Sequence, residues 1–222
     1  MKKSKIILIV IIFLLLIILS IFTIIKINQY TTIINIANAN LTKINSKKFY
    51  YEINNQKTNL TSKIWGKDSK MKLEQIYPNN NLVQTMYIDF SSNTSYILDE
   101  ENKTYTVEEN KTLLQPVFIN APNILDFSFG IIHNASFLDK INFIFSIENI
   151  SSEKINNKDS IKVIFKLDNF TETTWFDSTT LYPIKSKSNL NDINATYNVT
   201  NCNLSNEEIT FTDIQNYIKV QL

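Results

Sequence analysis

One cysteine, one histidine, two glycines and four prolines are all that 222 residues contain of those types, and each shortage closes off some chemistry. Cys202 has no second cysteine to pair with, so an intramolecular disulfide is excluded. It reads either as a redox or intermolecular handle or as a strand residue without chemistry. No cysteine stands directly after the apolar N-terminal run, which argues against lipidation there. With His133 as the sole imidazole, neither a His-based triad nor a multi-histidine metal site can be assembled. Gly66 and Gly130 stand too far apart to make a glycine-rich phosphate loop. Charge of one sign is also missing: 22 Lys and Arg against 21 Asp and Glu leave a net +1, without the basic field that nucleic-acid binding requires. Asp99, Glu100 and Glu101 lack the ligand spacing of a cation loop and suit a solvated turn. The expectation is a protein that is not an enzyme and uses no cofactor or metal.

Asn, Ile and Lys are abundant instead, as an AT-rich coding sequence would give. Asn-x-Ser/Thr triplets occur at Asn59, Asn93, Asn102, Asn110, Asn134, Asn169 and Asn194, among others; most are expected by chance from that composition, and they matter only where a host glycosylates exported proteins.

Residues 1–5 carry three lysines, and Ile6–Ile25 follows with Ser20 and Thr23 as its only polar residues. Twenty helical residues span about 30 Å, the thickness of a bilayer's hydrocarbon core. Lys2, Lys3 and Lys5 outweigh Lys26 across that span. The positive-inside rule then keeps residues 1–5 cytoplasmic and places residues 26–222 outside the cell membrane as a single-pass protein. A cleaved signal peptide is the competing reading, but its apolar core is shorter and is followed at once by small residues. Here the only Ala-x-Ala, at Ala37–Ala39, lies a dozen residues farther on.

Beyond the anchor the periodicity is first helical and then alternates. Ile33, Ile34, Ala37, Leu41 and Ile44 recur at three and four residues, predicting an amphipathic helix over 31–44. Period-2 patterns follow at 49–53, 60–67, 70–77, 82–90, 96–98 and 104–107, separated by short polar turns such as Asp99–Lys103. Between Thr112 and Phe137 the alternation breaks. Pro122 suits a first helical turn there, and Ile124, Leu125, Phe129 and Ile132 repeat at helical spacing. Alternation resumes at 141–147, 161–167, 173–176, 184–188, 195–199 and 209–211, with a hairpin turn at Asn156–Asp159. Such short connections make neighbouring strands antiparallel. The fold class expected is α+β, one large antiparallel sheet with helices before it and in its middle.

Three stretches carry a likeness to a known family. Ile64–Glu74 resembles a pair of early strands joined by a polar turn, and Tyr96–Tyr105 resembles a Tyr-flanked acidic hairpin. Thr174–Lys185, with Trp175, Asp177, Leu181 and Pro183, resembles a Trp-x-Asp strand, turn and Leu-x-Pro strand. In these the chain is similar to the LolA-type lipoprotein-carrier superfamily over roughly residues 31–211. That resemblance implies a strongly curved, unclosed half-barrel covered by short helices, with an apolar cavity for acyl chains. Carriage between two membranes does not suit an anchored chain.

The residues that such a cavity would recruit are Tyr87, Tyr96, Phe118, Phe127, Phe129, Phe145, Phe165 and Trp175. They serve equally well as the ordinary core of a sheet-and-helix domain. Trp65, on the Lys63/Lys67 face of its strand, reads as a partly exposed interaction spot. Two functions fit: a tethered domain holding a lipid, acyl chain or lipidated peptide, or an envelope interaction protein with a filled core.

Overall fold

The computed structural model describes residues 2–78, 81–109, 122–189, 194–210 and 214–221, apart from the side chains of 2–5, 109, 126, 133 and 134. The predicted anchor and amphipathic helix are one element, α1 (Lys2–Asn45), so the boundary expected at 25/26 falls inside a continuous helix. Its apolar half is long enough to cross a membrane. The two hydroxyls in that half are satisfied internally, Ser20 Oγ donating to Leu16 O and Thr23 Oγ1 to Leu19 O, both at 2.8 Å. In hydrocarbon nothing else would accept them. From Tyr30 onward one stripe of α1 turns inward: Ile33, Ile36, Ala37, Asn40 and Ile44 are all buried. Each isoleucine so placed contributes about 1.5–3 kcal/mol.

Twelve strands form one curved, unclosed sheet among the described residues. The first meander is β1 (Lys48–Asn55), β2 (Leu60–Lys67), β3 (Lys70–Ile76), β4 (Leu82–Asp89), β5 (Thr94–Asp99) and β6 (Thr104–Glu109). Helices α2 (Asn123–Asn134) and α3 (Phe137–Ser146) come next. The second meander is β7 (Ile147–Ile155), β8 (Lys158–Leu167), β9 (Phe170–Asp177), β10 (Pro183–Ser188) and β11 (Asn194–Thr200), with the short β12 (Ile218–Lys219) last. The order is β12-β6-β5-β4-β3-β2-β1-β11-β10-β9-β8-β7. Every pairing is antiparallel except β12 with β6. The two meanders join where β1 meets β11, Tyr51 opposite Val199 and Ile53 opposite Tyr197.

Scarce glycine has a structural counterpart. Six of the nine residues with positive φ among those described are Asn or Asp: Asn59, Asp68, Asn93, Asn156, Asn157 and Asp168. Their short polar side chains tolerate the left-handed region that hairpin turns demand. Gly66 is needed for space instead. It sits opposite Phe49 on β1, and a Cβ there would come within 2.3–2.8 Å of the Phe49 ring.

Two expected strands are corrected. Residues 141–147 belong to α3 and the start of β7, not to a strand. Phe143 is buried while Phe145 is 61% exposed, whereas alternation would have placed both on one face. A reciprocal cap starts the helix: Asp139 N donates to Ser136 Oγ, and Ser136 N donates to the Asp139 carboxylate. The last expected strand also fails, because Ile209 and Thr210 lie in a turn region, and Phe211 falls outside the described residues. Ile209 is nevertheless buried, since its segment folds back onto the sheet: Lys67 Nζ donates to Leu204 O at 2.8 Å and Lys70 Nζ to Thr210 Oγ1 at 2.6 Å.

Among the described residues the core lies between the sheet and α1, α2 and α3 in two neighbouring clusters. One joins α1, α2, α3 and β7–β9 through Ile33, Ile36, Ile124, Leu125, Phe143, Phe165 and Phe176. The other joins the end of α1 to β1–β4 through Ile44, Phe49, Ile53, Ile64, Met71, Leu73 and Ile88.

Candidate apolar cleft beneath the covering helices

On the helix-covered face β8 presents Val163, Phe165 and Leu167, and β9 presents Phe170, Glu172, Thr174 and Phe176. Helix α2 begins directly over Glu172. Its carboxylate accepts Asn123 N at 2.9 Å, Asn123 Nδ2 at 2.8 Å and Ile124 N at 3.0 Å, while Thr174 Oγ1 donates to it at 2.9 Å. A strand residue thus does the work of an N-cap, and Pro122 at the cap position supplies no side-chain bond of its own. Glu172 is almost fully buried, and desolvation raises its pKa against the pull of these donors. Thr174 Oγ1 lies 3.2 Å from Ser186 Oγ, which extends the buried polar chain across to β10. Among the described residues no three His, Cys, Asp or Glu side chains come together as a metal site would need.

Pinned in this way, α2 and α3 leave an apolar gap above β8 and β9. A cleft of about 270 Å³ is bounded by Phe127 and Ile131 of α2, Phe143 of α3, and Phe165 and Leu167 of β8, with Asp139, Asn142 and Ser146 along one side. Phe127 also bounds a second hollow of about 370 Å³ with Leu167, Phe170 and Asn189. The rings of Phe127, Phe143 and Phe170 surround that of Phe165 at centroid distances of 5.4, 5.6 and 5.9 Å. The two hollows together fall in the range of roughly 300–1,000 Å³ seen for small-molecule sites, mostly apolar with a few polar groups at one side.

Of the aromatics singled out in the sequence, Phe127 and Phe165 meet in this cleft. Phe129 is buried in the core close by. Phe145 points away, its ring stacked on Phe22 of α1 at 6.2 Å. Trp175 is on the opposite face of the sheet, where its Nε1 donates to Glu153 Oε2 at 3.1 Å and the ammonium groups of Lys162 and Lys185 lie 5.5 and 5.8 Å from its ring. Tyr87 and Tyr96 are also on that opposite face, paired across β4 and β5. They bound a separate hollow of about 190 Å³ closed by Ile209 and Thr210. Phe118 lies outside the described residues. Phe143, Leu167 and Phe170 were not among the residues expected to line a cavity, although the alternation over 161–167 already puts Leu167 on the strand face of Phe165.

The opposite face carries a further aromatic row. Tyr50, Trp65, Lys72, Tyr87 and Tyr96 are successive cross-strand partners on β1–β5. Tyr50 and Trp65 lie 5.3 Å apart, and Lys72 Nζ sits 5.7 Å from both the Trp65 and Tyr87 rings. Trp65 is partly exposed there.

No protein-family model matches the chain, and no curated protein is similar to it. Solved structures share its shape. An uncharacterized conserved protein from Thermus thermophilus superposes with a TM-score of 0.52 at 6% identity, covering 84% of this chain and 96% of its own. The fold is common to both. MucB, solved in complex with MucA(peri), aligns with a TM-score of 0.35 at 7% identity over 84% of this chain and 62% of its own. PNGF-II aligns with a TM-score of 0.31 at 11% identity over 73% of this chain and 29% of its own. These last two alignments are too loose to say anything about this chain.

Proposed function

We propose that this chain is a membrane-tethered extracytoplasmic binding protein of LolA type, holding a lipid, acyl chain or lipidated peptide between α2, α3 and β8–β9. The observation that carries the reading is the cleft itself, with Phe127, Phe143, Phe165 and Leu167 lining a gap that the covering helices leave open. The inward-turning second half of α1, then antiparallel meanders with short helices inserted between them, follows the element order the resemblance implies; the apolar first half of α1 departs from it. The chemistry is binding rather than turnover.

Native mass spectrometry of a fragment from Lys26 to Leu222, purified without detergent, tests the proposal. The fragment starts there because Lys26 and Tyr30 contact α3 and because Ile33 belongs to the core. Extra mass that organic solvent releases and that proves to be lipid supports the reading. A folded fragment that stays bare with added fatty acid and lipopeptide removes it. The row from Tyr50 to Tyr96 favours a second reading, an envelope protein docked on the opposite sheet face. Crosslinking in intact cells from Trp65 that recovers no partner would count against that.

A further inference from the structure

Helix α3 carries apolar residues on two sides. Phe143 and Ser146 turn inward to the core. Phe137, Leu138 and Phe145 are 76%, 69% and 61% exposed, and with half-buried Ile141 they form one stripe about 100° wide on the outer side. Large apolar residues held out in this way mark a contact surface. The structure also fixes where that surface stands. Phe145 stacks on Phe22, one turn before the apolar run of α1 ends. Lys26, just past that run, donates its ammonium protons to Ile147 O and, at 3.4 Å, to Ile144 O, the carbonyls at the end of α3. Its ammonium also lies 5.9 Å from the Phe22 ring. At 1.5 Å of rise per residue, Phe22 is only about 5 Å below the outer edge of the membrane span. A ring in contact with it lies at the boundary between headgroups and acyl chains.

We propose that α3 is a second membrane contact, lying in the bilayer surface with Phe137, Leu138, Ile141 and Phe145 inserted among the lipids. This rests on α1 being the membrane anchor. The occupant of the exposed stripe is lipid because the stripe continues the lipid-facing surface of α1 without a gap, through the Phe22–Phe145 stack. Lys140 at the edge of the stripe reaches the headgroups, as the flank of an interfacial helix does. Docking in this way fixes the domain against the membrane.

Depth measurement on the full chain tests this. In a Cys202→Ser background, nitroxide labels are placed singly at Leu138→Cys, Phe145→Cys, Ile18→Cys and Glu101→Cys, and the chain is reconstituted in phosphatidylcholine–phosphatidylglycerol vesicles. The labels at 138 and 145 are expected to be about tenfold less accessible to a soluble nickel chelate than the label at 101, and richer in oxygen contacts. Nickel accessibility at 138 and 145 equal to that at 101, with the label at 18 shielded, overturns the docking of α3 and leaves the anchor standing. A water-exposed label at 18 overturns both.

Discussion

Tyr51 on β1 donates its phenolic proton to the Asn40 side-chain oxygen of α1 at 3.0 Å, in a place where neither residue reaches solvent. The Asn40 amide nitrogen in turn donates to Ile36 O and to Leu181 O, both at 2.9 Å. Leu181 sits in the β9–β10 turn with φ at 62°, a conformation costly for leucine. One buried amide therefore ties the anchor helix to both meanders and helps hold a strained turn.

Replacing Asn40 by Ala leaves the Leu181 carbonyl and the Tyr51 hydroxyl without these partners, at about 1–3 kcal/mol for each group. Tyr51→Phe, which deletes one donor, is expected to cost about 1 kcal/mol. Urea unfolding of the Lys26–Leu222 fragment measures both. A loss below about half a kcal/mol for Asn40→Ala sinks the account.

Glu172 makes stability depend on pH in an unusual direction. Its folded pKa is raised by burial, so the folded state holds its proton more tightly than the unfolded chain does. The contribution is fully present below the ordinary carboxylate pKa and is lost as pH rises through the folded value. Glu172→Gln is expected to remove that decline, so that the curve of stability against pH for the variant is flatter above pH 4.5 than that of the parent. Identical curves would rule out a titrating Glu172.

Gly66 and Phe49 form a steric pair. Gly66→Ala pushes a methyl group into the buried Phe49 ring and is expected to destabilise by about 1–3 kcal/mol. Phe49→Leu makes room, so the Ala substitution should cost less in that background, with a coupling of about 0.5 kcal/mol or more. Strictly additive losses in thermal unfolding would mean that the ring moves aside freely.

Filling the cleft separates binding from folding. Leu167→Trp places a larger apolar ring between β8 and Phe127, and is expected to cut uptake of a fluorescent fatty acid about tenfold while costing roughly 1–3 kcal/mol of stability. Unchanged uptake by a folded variant would place the ligand elsewhere.

Most of the sheet was readable because its strands keep a clean two-residue period: Met71 and Leu73 against Lys70 and Lys72 can belong to nothing else. The turns were readable because Asn and Asp mark them. Helix α3 escaped because both its sides are apolar. A helix buried at Phe143 and exposed at Phe145 puts a hydrophobe at every second position, so its pattern imitates a strand. Ser136 and Asp139 were the available sign. Strand β7 was hidden for the opposite reason: as an edge strand it exposes Glu148, Ser152, Glu153 and Lys154, leaving little alternation to see. For the cleft, the sequence supplied aromatics without saying which side of the sheet the helices cover. Trp175 and Phe176 are adjacent, yet one faces lysines and the other the core. The two buried polar anchors, Asn40 and Glu172, each stand in an otherwise apolar pattern, a signal legible only once burial is known.

The joining of the two meanders at β1 and β11 bears on how the protein is made. Each other antiparallel pairing is between strands consecutive in the chain, so hairpins close as soon as they emerge. Strand β1, however, pairs Tyr50 with Thr200, and its partner leaves the ribosome only after β2–β10 and both short helices have emerged. At about 5–20 residues per second, β1 waits on the order of ten seconds with a bare hydrogen-bonding edge and apolar residues unsheltered. The nascent chain is most open to misassembly and to proteases in that interval, and it closes in one late, long-range event rather than strand by strand.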